Sequence, residues 1–241
     1  MKKGIVTLLL AAACLPLTSF DYAPSHNLAT VTGLPLPTNT EIISGLKQAL
    51  EQGTTKSATQ LSALNGYFGN AAIKILMPPE AQKAEKALRK LGLNKLCDDV
   101  VLSLNRAAED AAKQAAPIFV DAVKQMSVQD AANILTGSND AATQYFKRTT
   151  TTALSAQFKP VIHTSLGKVG ATNLYTQMAT QYNKIPLNFS KLNPDLDDYV
   201  TQKAIDGLFY QIALEELNIR QNLTARTTPI LQKVFGALDK K

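Results

Sequence analysis

The chain has 241 residues, enough for one medium-sized core, with 45% hydrophobic and 18% charged side chains and a formal net charge of +6. Collagen-like, low-complexity and wholly disordered chains are excluded by that composition. With two Cys, two His and no Trp, a disulfide scaffold and a cysteine- or histidine-rich metal centre are excluded too, so neither a metal nor a cofactor is expected.

Lys2 and Lys3 precede an apolar or small stretch, Gly4 to Ala13. This has the pattern of an export signal, and it is far shorter than the roughly 20 residues a membrane span needs. Ala11, Ala12 and Ala13 before Cys14 resemble a lipobox, which makes Cys14 the expected lipid-attachment residue and residues 1–13 a lipoprotein-type signal. The alternative is ordinary cleavage after Ser19, giving a soluble periplasmic protein. Leu15, where an aspartate would signal inner-membrane retention, points to the periplasmic face of the outer membrane. Either cut leaves Cys97 as the one thiol, which is expected to be buried. Loss of Lys2 and Lys3 lowers the net charge by two. The remaining basic excess suits anionic head groups or wall polymers, and no nucleic-acid partner is expected.

Residues 14–40, with Pro24, Pro35 and Pro37, read as a tether, and 41–241 as one all-α, multi-helix domain. The first helix runs from Glu41 to about Leu64, with Thr40 as candidate N-cap and a weak middle at Gly53 to Thr55. Asn65 to Asn70 is a strong turn signal. Residues 72–77 alternate briefly and suggest a short extended or β segment. Pro79 opens a helix that stops at Gly92. Asn94 to Ala116 reads as a long helix with Leu96, Val100, Leu104, Ala108, Ala111 and Ala115 inward, and with Arg106, Glu109 and Lys113 outward. Glu109 and Lys113 form an i,i+4 pair on that face. Pro117 starts the next helix, and Ser127 to Asp130 is a capping box for another. A longer element reaches about Val169, where Pro160 predicts a kink or break within a turn of Ala156. Ala171 to Tyr182 is helical, Asp195 starts the last long helix, and Pro229 starts a terminal one.

Several stretches in this order carry a resemblance: Gly45 to Leu50 (GLKQAL), Leu91 to Leu96 (LGLNKL), Leu104 to Glu109 (LNRAAE) and Pro117 to Ala122 (PIFVDA). Tyr145 to Thr150 (YFKRTT), Leu196 to Val200 (LDDYV), Gly207 to Phe209 and Ala225 to Thr228 (ARTT) continue it. Together they resemble the bacterial domain-of-unknown-function family 4197, over about Ile43 to Phe235. The resemblance implies an exported helical protein and supplies no catalytic residue.

Two Ser-x-x-Lys tetrapeptides, Ser44 to Lys47 and Ser165 to Lys168, lack the companion motifs of penicillin-recognising enzymes and read as chance. The adjacent acids Asp98-Asp99, Asp197-Asp198 and Glu215-Glu216 point about 100° apart on a helix and are no dyad by themselves. His163 has no second histidine or cysteine placed to help it bind a metal. Arg106, Arg148, Arg220 and Arg226, with the aromatic pair Tyr67 and Phe68 on the turn, form the candidate patch for an anionic ligand or an envelope-protein partner. The competing assignments are internal ion pairs for the arginines and a flap folded over the core for the aromatics. The expected function is a non-enzymatic binding or interaction module facing the periplasm. The alternatives are a carrier of a lipid-like ligand and an envelope hydrolase assembled from distant helices.

Overall fold

A computed structural model describes residues 38–168, 170–184 and 196–236. Among the described residues no helix is long and apolar enough to cross a membrane. The signal, Cys14 and nearly all of the tether lie outside the described residues.

The chain folds into helices throughout, with no strand among the described residues: α1 (Asn39–Ser62), a 3-10 turn (Pro79–Ala81), α2 (Gln82–Lys90), α3 (Asn94–Ala112), α4 (Ala115–Gln125) and α5 (Val128–Thr136). Then follow α6 (Ala141–Lys168), α7 (Ala171–Asn183), α8 (Asp197–Gln221), a second 3-10 turn (Leu223–Ala225) and α9 (Pro229–Gly236). Helices α3, α6 and α8 pack on one another at the centre, α1 lies against α4, α8 and α9, and α7 joins α2 to α3. The alanine end of α3 (Ala107, Ala108, Ala111, Ala112) is fully buried, so neighbouring helices approach its backbone closely. Phe119 of α4 meets Phe146 of α6 and Phe209 of α8 edge-on, with ring centroids 5.2 and 6.2 Å away, filling the space those alanines leave at the other end.

Local chemistry fixes many boundaries. Ser127 and Asp130 form the expected capping box at α5. The cap of α1 is Thr38 rather than Thr40, because Glu41 sits at the third helical position and closes a reciprocal box with Thr38. The Gly53-Thr54-Thr55 stretch does not interrupt α1. The Thr54 and Ser57 hydroxyls donate to the carbonyls of Leu50 and Gly53 one turn back, so these buried hydroxyls are satisfied inside the helix. Gly92 adopts φ +84° and ends α2, with the Leu93 N–H reaching back to the Leu88 carbonyl.

Three further expectations are corrected. The helix expected to run to Ala116 ends at Ala112, and α4 begins at Ala115, because Pro117 has no N–H to offer the Lys113 carbonyl. By contrast α6 runs through Pro160 without a break. Its stripe of Leu154, Phe158, Ile162 and Leu166 is buried on both sides of the proline, while Pro160 and Ala156 face solvent, where water reaches the orphaned carbonyl. Glu109 points inward, not outward, and Lys113 pairs with Asp110 at 2.7 Å instead. Residues 74–78 pair with no strand among the described residues, so of the two forms expected for residues 72–77 the extended one is found. Ile73, Ile75 and Met77 do alternate inward, and Ile75 is gripped by a side chain: Asn105 of α3 accepts from its N–H at 2.9 Å and donates to its carbonyl at 2.8 Å.

Candidate functional site

A groove of about 720 Å³ runs between α1 and the C-terminal half of α8, with the second 3-10 turn among its lining. Small and hydroxyl side chains in the middle of α1 create it. Gly53 faces Ile219 of α8, and a Cβ at Gly53 would lie 3.7 Å from Ile219 Cδ1, in ordinary contact. The floor is carbon from Gly53, Ile219 and Ala225, and Thr55, Thr59, Gln60 and Asn218 contribute hydroxyls and amides to the walls. One ion pair crosses it, Lys56 Nζ to Glu215 Oε2 at 2.8 Å; Gln52 accepts from Thr227, also of the lining, and Gln60 from Gln211. Glu51 also lines it, so the groove holds two acids for one lysine, a small negative excess, and its remaining lining is neutral hydrogen-bonding groups and carbon. It fits an uncharged ligand or chain segment better than an anion.

A second, charged cleft of about 340 Å³ is lined by Ser62, Arg106, Glu109, Asp110, Lys113, Ser165 and Lys168. Here the Ser165 to Lys168 tetrapeptide meets acids of α3. The Ser165 hydroxyl donates to Asp110, and Lys113 pairs with the same carboxylate. The Lys113 and Ser165 bonds hold the Asp110 carboxyl below the usual carboxylate range. Such a carboxylate is a poor base for a serine proton, and no imidazole lines the cleft. Helices α1, α3 and α6 all end close by, at Ser62, Ala112 and Lys168. Three sets of C-terminal carbonyls favour cations, which accounts for Arg106, Lys113 and Lys168 gathering there and disfavours an added anion.

The structure disperses the sequence-marked patch among separate duties. Tyr67 is 0% exposed, its hydroxyl donates to the Ala204 carbonyl at 2.6 Å, and burial pushes its phenol well above the ordinary tyrosine range. It is a core residue and not a docking tip. Phe68 is half-buried, with Lys74 Nζ 3.9 Å from its ring centroid. Arg106 pairs with Glu109 at 2.5 Å and donates to Asn65. Arg220 pairs with Glu216 at 2.9 Å and donates to the Ile134 carbonyl. Arg226 is buried and donates to the carbonyls of Ile219 and Arg220, which closes the turn into α9. Arg148 is exposed, 3.7 Å from Asp130 and over the Tyr145 ring. Cys97 is fully buried and desolvation raises its thiol pKa, so it is inert packing. His163 reaches Asp197 at 2.7 Å and Lys159 reaches Asp198 at 2.6 Å, so that acid pair ties α6 to the start of α8. No group of three or more His, Cys, Asp or Glu among the described residues is placed to hold a metal.

Sequence reasoning missed three buried polar residues: Asn105, Glu109 and Glu216. The signal for two of them is the stripe Val101, Asn105, Ala108 and Ala112 with Glu109, which has core spacing and polar members.

An all-α domain built on three central helices, with a groove between α1 and α8 on one flank, defines the class. Residues 36–236 match the model of the family described as "Protein of unknown function (DUF4197)", and the chain belongs to that family. No curated protein and no solved structure matches the chain.

Proposed function

We propose that this is an exported, non-enzymatic binding module of the cell envelope, attached to the periplasmic face of the outer membrane through a lipid on Cys14. The observation that carries the binding role is the α1–α8 groove. It is a concavity of about 720 Å³ in which Lys56 is neutralised by Glu215, Glu51 is the one further charge, and neutral polar groups accompany carbon from Gly53, Ile219 and Ala225. The hydrolase alternative is weakened by the charged cleft, where the one serine beside a carboxylate donates to an acid too strong to activate it. The carbon floor keeps a lipid-like ligand as the second reading. Export rests on the residues before Cys14.

The test is native mass spectrometry of protein purified gently from envelopes, for the wild type and for Thr55→Trp, which fills the groove from an exposed helix position. A retained non-covalent mass is expected on the wild type and absent from the variant. A wild type that carries no such mass, or a variant that carries the same one, overturns the groove assignment. The mature N-terminus is read in the same experiment: an acylated Cys14 is expected, and an unmodified Phe20 replaces the lipoprotein with a soluble exported protein.

A further inference from the structure

Residues 74–77 follow a turn ending at Ile73 and run along the core with no strand of the described residues beside them. Ile73, Ile75 and Met77 are buried at 9%, 2% and 0%, whereas Leu76 is 55% exposed and Lys74 half-buried, the alternation of a strand lying on a core. The Ile75 N–H and carbonyl both engage the single amide of Asn105, so they point the same way, as they do in extended backbone. The neighbouring groups then point to the opposite edge, and there the Leu76 carbonyl accepts from the Tyr199 hydroxyl at 3.0 Å. Between these fixed points, the Lys74 carbonyl and the Leu76 N–H have no hydrogen-bond partner among the described residues. They bracket Ile75. In a parallel pairing, one residue of an incoming chain donates its N–H to the carbonyl before its opposite number and accepts from the N–H after it.

This open edge faces a groove of about 440 Å³ between the segment and one face of α8, formed by Tyr199, Lys203, Asp206 and Tyr210. Leu76 and Tyr210, which is 42% exposed, are two of the large hydrophobic side chains this domain leaves in solvent, and both line the groove. Lys203 lies 3.9 Å from Asp206 on one wall and Lys74 adds a further cation on the other, so the groove carries a positive excess of one. We propose that it is a docking site for an extended, acidic peptide segment of a partner protein, which pairs with Ile75 in parallel. The backbone bonds supply affinity, the Leu76 and Tyr210 side chains cover the peptide, and the two lysines select acidic residues. The site is separate from the α1–α8 groove, so it stands or falls independently of the function proposed above.

The probe is the capped peptide acetyl-Val-Asp-Val-Glu-Val-amide carrying a fluorophore, titrated against the purified full chain by anisotropy. Leu76→Pro removes an N–H that makes no bond together with the leucine side chain, leaves the Leu76 carbonyl for Tyr199 and suits the extended backbone. Leu76→Ala is the control that loses the side chain and keeps the N–H. Binding weakens about tenfold in Leu76→Pro relative to Leu76→Ala, and by a similar factor when the central valine of the peptide is N-methylated. Lys203→Glu weakens the probe and strengthens a lysine-substituted counterpart. Binding to Leu76→Pro no weaker than to Leu76→Ala, equal binding of the acidic and basic peptides, or no binding of the probe at about 1 mM overturns the proposal.

Discussion

Two buried glutamates solve the same problem in different surroundings. Glu216 of α8 accepts from the N–H groups of Ala142 and Thr143 and from the Thr143 hydroxyl, so a side chain of one helix caps the start of α6. Glu109 of α3 accepts from the N–H groups of Tyr67 and Phe68 and pins an irregular turn whose leading residue, Asn65, has φ +66°. Each carboxylate has an arginine on its own helix. Arg220, one turn after Glu216, lies inward at 11% side-chain exposure and bonds a third element through the Ile134 carbonyl. Arg106, one turn before Glu109, lies at 26% beside the charged cleft. The two sites differ in how far the arginine is removed from water, and desolvation of the partner is expected to set how much depends on each buried acid.

That comparison can be broken at either end. The largest effect is expected from Glu216→Ala, which strands two backbone donors and a nearly dry guanidinium. A loss of about 3–5 kcal/mol by urea denaturation is expected, and Glu216→Gln should recover only part of it. For Glu109→Ala the loss should be smaller, about 2–3 kcal/mol, because water reaches Arg106 and takes over part of the carboxylate's role. Equal losses at the two sites would show that partner exposure does not matter.

The Tyr67 turn offers a sharper probe. A Cβ on Gly207 of α8 would lie 2.6 Å from Tyr67 Cε1, and the ring is fixed by its bond to Ala204. Gly207→Ala should cost about 1–3 kcal/mol by overpacking. If Glu109 is what holds the turn in place, the two substitutions together should cost less than their sum, since a released turn lets the ring move. The smallest effect concerns α9. Lys233 reaches Glu41 of α1 at 2.7 Å, and that bond, with those from Thr38, lowers the Glu41 carboxyl from its ordinary 4.5 to about 2. A depressed carboxyl contributes stability above its unfolded value, and that contribution disappears as pH falls from about 4.5 through about 2. The wild type should therefore lose slightly more stability than Glu41→Gln across that window. Glu41 is solvent-exposed, so the difference is modest, and parallel pH curves would refute it.

Helix identity, the alanine taper of α3, the box at α5, the glycine stop of α2 and the burial of Cys97 were all legible in the residues, because each depends on neighbours within about a turn. The site was less legible. Arginine is the residue type that recognises anions, yet Arg106 and Arg220 pair with acids on their own helices and Arg226 with backbone carbonyls. The α1–α8 groove is lined by threonine, glutamine and asparagine, which carry no distinctive motif. Its lining comes from positions more than 150 residues apart, as the Lys56–Glu215 pair shows.

The two mid-chain prolines mark the boundary between what sequence and tertiary structure determine. Pro117 and Pro160 are both exposed, and an apolar i,i+4 stripe runs through each: Ala111, Ala115, Phe119 and Val123 in one case, Leu154, Phe158, Ile162 and Leu166 in the other. The sequence alone determined that each proline removes a backbone bond, at a cost of roughly 3 kcal/mol in a helix interior. Whether the chain turns there was decided by what lies across the stripe. After Pro117 the apolar face of α4 packs mainly on α1, whereas α3 packs mainly on α6, and the chain bends. Across Pro160 the face stays in the central layer, packed on α3 and α8 over the length of α6, and burial of four large side chains outweighs one lost hydrogen bond.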